Sequence, residues 1–79
     1  MRGVVASMAV EKANHVLANM FGEHIIDIAR AVYIRNKALT VACLSSVSAQ
    51  EIRLHEGAIV EEINKKMGDK IVDKIKYLA

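Results

Sequence analysis

The sequence has no proline, no tryptophan, one cysteine, four glycines and only three aromatic residues, Phe21, Tyr33 and Tyr77. Each shortage excludes something. Without proline there is no proline-rich linker, and with no low-complexity tract or internal repeat the 79 residues fit one domain, 1–79. A lone cysteine, Cys43, leaves no internal disulfide and no cysteine-rich zinc site, and its place in an apolar stretch predicts a small buried mid-strand residue. The glycines form neither a phosphate loop nor a dinucleotide fingerprint. An aromatic content of 4% supplies no row of rings for stacking bases. The apolar run behind Met1-Arg2-Gly3 stops at Val10, too short to cross a bilayer or to serve as a signal peptide. The expected setting is the cytoplasm, with no membrane partner.

What is present belongs to a globular chain, 53% hydrophobic and 25% charged. At this size folding buries roughly 60–65% of the unfolded surface, so stability should be modest. The net charge of +2 is unevenly spread. Residues 65–79 hold Lys65, Lys66, Lys70, Lys74 and Lys76 against Asp69 and Asp73, whereas residues 1–64 hold six basic and seven acidic groups. Positive charge therefore gathers at the C-terminal end.

Ala6, Ala9, Val10, Ala13, Val16, Leu17 and Met20 recur at three- and four-residue intervals and predict a helix over 6–20. Glu11, Lys12, Asn14 and Asn19 form its expected solvent face. Gly22 can end that helix or kink it; the sequence leaves both readings open. Ala31–Arg35 and Leu39–Leu44 read as strands joined at Asn36-Lys37, since Asn tolerates the left-handed backbone of a two-residue hairpin turn. Ser45 and Ser46 can cap a following helix with apolar positions Ile52, Ile59, Val60 and Ile63, which Gly57 should divide in two. Gly68 reads as a left-handed helix stop. Ile71–Leu78 reads as a last strand, with Ile75 and Tyr77 on one face and Lys74 and Lys76 on the other. The expected core is Val41, Cys43, Ile52, Val60, Ile63 and Ile75 under Leu17. A helical connection before the last strand lets it return parallel to a hairpin strand.

Catalytic chemistry finds no support. His15, His24 and His55 are far apart with no ligand spacing around them, so no metal and no cofactor are expected. Ser45, Ser46 and Ser48 lack a nucleophile elbow and a base, and capping accounts for them. Glu61 and Glu62 with Lys65 and Lys66 make ordinary i,i+4 helix pairs. The chain reads as a non-enzyme. For nucleic acid, the candidate phosphate contacts are Arg35, Lys37, Lys65, Lys66, Lys70, Lys74 and Lys76, with Arg30 near the hairpin.

The order helix-strand-strand-helix-helix-strand resembles the type II KH fold. The residues Leu39-Thr40-Val41, Ser45-Ser46-Val47-Ser48-Ala49-Gln50-Glu51-Ile52-Arg53-Leu54 and Ile63-Asn64 resemble the core of the DciA-like family from about residue 22 to the end, 22–79, behind an N-terminal helix, 1–21. The resemblance implies a small α+β, KH-like domain, order α-β-β-α-α-β, whose three-stranded sheet is covered by helices on one face. It implies a nucleic-acid-binding module, DNA or RNA through weak phosphate contacts, that assists replicative-helicase loading in bacterial DNA replication. Arg53 also stands among the candidate contacts. Two features depart from the family: Ser48 stands where it usually has tryptophan, and the sequence ends at Ala79 without the extension of helicase-loading members. A Gly-x-x-Gly backbone clamp is also missing, since only Gly57 is available. The rival reading is a protein–protein adaptor or homodimer whose lysines are only solvated.

Overall fold

The computed structural model describes residues 2–79, with side chains from Ala6 onward. Met1, where the leader reading begins, lies outside the described residues. The elements run α1 (Arg2–Phe21), a 3₁₀ turn (Glu23–Asp27), β1 (Ala29–Arg35), β2 (Ala38–Cys43), α2 (Ser46–Arg53), α3 (Glu56–Met67) and β3 (Lys74–Leu78). This is the expected α-β-β-α-α-β order. The strands form one mixed sheet with β2 in the middle, antiparallel to β1 and parallel to β3. The helical crossover through α2 and α3 is long enough to bring β3 back parallel.

Local chemistry places each boundary. Gly22 ends α1 with φ 97°, a conformation that a side chain resists, so the helix does not run on toward Ala29. Asn36 and Lys37 take φ 51° and 62°, the two left-handed residues of a type I′ turn, and Arg35 and Ala38 close the hairpin. The Ser45 side chain accepts the Ser48 N–H at 3.3 Å and caps α2. The break before α3 is Leu54-His55, so Gly57 lies just beyond it in the first turn of α3. At the other end of α3, Gly68 (φ 71°) makes the left-handed cap.

α1 and α3 pack on one face of the sheet. Leu17, Leu39, Val41, Ile52, Ile59, Ile63 and Val72 are fully enclosed between the layers, with Ile75 also buried. Cys43 and Val60 are only half-buried. Cys43 is the last residue of β2, not its centre, where the helix layer no longer covers the sheet completely. Val60 packs at the border of the core beside the buried pair Ile59 and Ile63. Met20, at the end of the predicted α1 stripe, is exposed as the helix leaves the sheet.

Three polar side chains tie down backbone that the ladder leaves unpaired. Asn14 does not face solvent as its helix position suggests: it accepts the Ala31 N–H at 2.8 Å and donates to the Ala31 carbonyl at 3.1 Å, closing the outer edge of β1. Glu56 accepts the Ile75 N–H at 3.2 Å on the outer edge of β3. Asn64 accepts the N–H groups of Ile71 and Val72 at 2.9 and 3.0 Å and donates to the Val72 carbonyl at 2.8 Å. Because Asn64 takes these groups, the last strand begins at Lys74 and not at Ile71.

Candidate nucleic-acid interface

The sheet face away from the helices is set by register. Ala38↔Lys74, Thr40↔Lys76 and Ala42↔Leu78 pair across β2 and β3 on that face, while Leu39↔Ile75 and Val41↔Tyr77 point to the core. On β1 the alternation is broken by a bulge between Ala31 and Tyr33. Ala31 faces the core opposite Val41, yet Tyr33 faces outward opposite Thr40, with Arg35 opposite Ala38 and Arg30 opposite Ala42. Arg30 and Arg35 are five apart, so a regular strand would send them to opposite faces. The inserted residue, Val32, puts both on the open face.

That face consequently holds Arg30, Arg35, Lys74 and Lys76 with Tyr33 and Leu78, and no strand residue is acidic. The middle strand contributes only Ala38, Thr40 and Ala42. Their small side chains leave a trough between the outer strands, which stand roughly 10 Å apart. Its hairpin end is a concavity of about 380 Å³ lined by Tyr33, Arg35, Asn36, Ala38, Thr40, Lys74 and Lys76. Tyr33 is 49% exposed there, one ring open to solvent among the cations.

Of the residues expected from the sequence, Arg35, Lys74 and Lys76 line this concavity. Lys37, exposed at the hairpin tip, adjoins it, and the Lys37 carbonyl accepts the Asp73 N–H at 2.9 Å and the Lys74 N–H at 3.4 Å, which fixes the tip to the start of β3. Lys70 is exposed in the α3–β3 connection, and Lys65 and Lys66 are exposed in the last turn of α3, on the helix layer. Arg53 stands apart. Its guanidinium lies 5.0 Å over the Tyr77 ring, a cation–π arrangement on the helix side, and the Tyr77 hydroxyl donates to Glu56 at 2.9 Å. Burial, then the Glu56 hydrogen bond and charge, hold the Tyr77 phenol well above its ordinary pKa. Burial likewise pushes the Cys43 thiol up, so it stays protonated.

Tyr33 and Arg30 complete the face; the sequence reading named Arg30 near the hairpin but left Tyr33 out of the contact set. The α2–α3 junction, where a KH domain clamps the nucleic-acid backbone, is the two residues Leu54-His55 with no glycine pair. His55 is exposed and meets the Phe21 ring edge-on at 5.5 Å. Among the described residues no three His, Cys, Asp or Glu side chains converge on a metal position, and no helix is long and apolar enough to cross a membrane.

A family model described as Dna[CI] antecedent, DciA, matches residues 2–77. No curated protein matches. With nearly the whole chain matched, from α1 into β3, the protein belongs to the DciA family, which is associated with helicase loading in DNA replication and acts as a loader or adaptor rather than an enzyme.

Proposed function

We propose that this chain is a nucleic-acid-binding adaptor that assists loading of the replicative helicase, and that it holds DNA, or RNA by the same phosphate chemistry, on its open sheet face. One observation carries the reading: four cations and an exposed tyrosine share a face whose strands hold no acidic residue. Sheet strands fix these side chains more firmly than loops would, and phosphate contacts need position more than shape. Lys37 and Lys70 extend the positive field around the hairpin end, and Lys65 and Lys66 add to it from α3. Arg53, over Tyr77 on the helix side, adds positive charge only from the opposite face. The ring of Tyr33 offers one base a stacking surface, which makes an opened strand a better ligand than a closed duplex. No group on this face reads base edges by a fixed hydrogen-bond pair, so binding is indifferent to sequence.

The experiment is charge reversal. A variant with Lys70, Lys74 and Lys76 changed to Glu keeps the wild-type circular dichroism spectrum, because all three side chains are exposed. It loses binding to every oligonucleotide alike in fluorescence anisotropy. Undiminished binding by the folded variant removes the open face from the account.

A further inference from the structure

A second surface has the opposite character. At the end of the sheet away from the hairpin, the 3₁₀ turn and α2 enclose an apolar groove of about 410 Å³. Ile52 lies in its floor, and Phe21, Ile28, Leu44 and Val47 form its walls. Leu44 and Val47 are 75% and 76% exposed, although both stand on fixed backbone. The Leu44 N–H donates to the Ile28 carbonyl at 2.9 Å, and Val47 is in the serine-capped first turn of α2. Adjacent branched residues held out in water on rigid elements mark an interaction site.

Charge and size select the occupant. Among the described residues Glu51 is the single charged one lining the groove, and Glu23 and Asp27 of the flanking turn are exposed. An acidic, apolar rim repels phosphate and suits an apolar ligand with a positive flank. A cavity of roughly 150 Å³ holds one benzene ring, so 410 Å³ takes two or three such side chains. That is the reach of one amphipathic helix with anchors at i, i+3 or i+4, and i+7. A stable dimer needs about 800 Å² from each partner, a large share of the 5167 Å² total surface and more than so short a groove offers.

We infer that this groove docks one short amphipathic helix of a protein partner, with a lysine or arginine beside its apolar anchors facing Glu51. The two surfaces divide the work: nucleic acid on the cationic sheet face, a protein helix in the acidic groove. The inference rests on the adaptor reading for the identity of the probe, the purified replicative helicase of the same organism.

Binding of the helicase is measured by biolayer interferometry for wild type, Val47→Asp, Leu44→Asp, Glu51→Lys and the pair Lys74→Glu with Lys76→Glu. Both Asp variants keep the wild-type melting temperature, since the changed side chains are exposed. Each weakens helicase binding by roughly tenfold or more, as loss of an interface anchor does. Glu51→Lys weakens it as well, more at low salt than at high. The lysine pair retains helicase affinity while losing DNA. Helicase binding that the Asp variants leave unchanged overturns the groove but not the adaptor reading. No binding by wild type overturns both. Concentration-dependent dimers that Val47→Asp dissolves replace the partner helix with a second copy and overturn the inference.

Discussion

Asn64 is the side chain on which the position of β3 depends, and Asn64→Ala tests that directly. The amide makes three hydrogen bonds to the connection, at 2.8, 2.9 and 3.0 Å, in partly buried surroundings. Truncation leaves the Val72 N–H and carbonyl without partners and the Ile71 N–H with only the Asp69 carbonyl, at 3.1 Å. An unpaired buried polar group costs about 1–3 kcal/mol, and partial access of water places this site toward the lower end for each. The expected loss is about 2–4 kcal/mol, a large part of a domain's usual ~5–15 kcal/mol. For a chain of this size each kcal/mol lowers the melting temperature by about 4–8 °C, so a fall of roughly 10–25 °C follows. Differential scanning calorimetry reads it. Asn64→Asp keeps the two acceptor bonds and loses the donor, so it should fall between wild type and Asn64→Ala. A melting temperature within about 2 °C of wild type for Asn64→Ala would show that water replaces the amide at no cost and that Asn64 does not hold β3 in place.

Ile63 is fully enclosed between α3 and the sheet, so Ile63→Ala should cost about 2–5 kcal/mol in urea unfolding without changing the slope of the transition. Because Tyr77 holds its proton more tightly folded than unfolded, its contribution to stability is complete below its ordinary pKa of 10.0 and is lost as pH rises above it. Tyr77→Phe should remove that alkaline loss of stability and cost about 1 kcal/mol at neutral pH through the missing Glu56 bond, as thermal melts across pH 7–11 would show. Tyr33→Ala should weaken binding of single-stranded oligonucleotides by about 1–3 kcal/mol and of duplexes far less, as anisotropy titrations can separate.

Much of the fold is legible because single residues dictate local backbone. Asn36-Lys37 forms the left-handed hairpin turn, Ser45 caps α2, Gly68 ends α3, and the alternation in Lys74-Ile75-Lys76-Tyr77 separates the cations from the core. The features that escape sequence reading depend on partners distant in the chain. Asn14 has the spacing of a solvent-facing helix residue, and only the approach of β1 gives it Ala31 to bind. Ile71 and Val72 have strand composition, but Asn64 claims their backbone first. The open face is legible in part for the same reason. Lys74 and Lys76 follow from alternation, whereas uniting Arg30, Tyr33 and Arg35 requires the bulge at Val32, and a period of two carries no mark of where an extra residue enters. Three scattered aromatics offer no stacking row in sequence, yet folding sets Tyr33 among four cations. Arg53, one of the candidate contacts, lies over Tyr77, a ring that becomes its neighbour only in the fold.

If the open sheet face neutralises phosphates, binding must weaken steeply as salt rises. Binding of a fluorescent single-stranded oligonucleotide should be measured from low to physiological ionic strength for wild type and for Arg35→Ala with Lys74→Ala. Three or four phosphate contacts give a slope of about −2 to −4 in log affinity against log salt, with micromolar or weaker binding at physiological salt. Removing two of those contacts should reduce the magnitude of the slope by about 1.5 for a single strand. Wild-type binding that is absent at low ionic strength, or a slope that the double variant leaves unchanged, would contradict the claim.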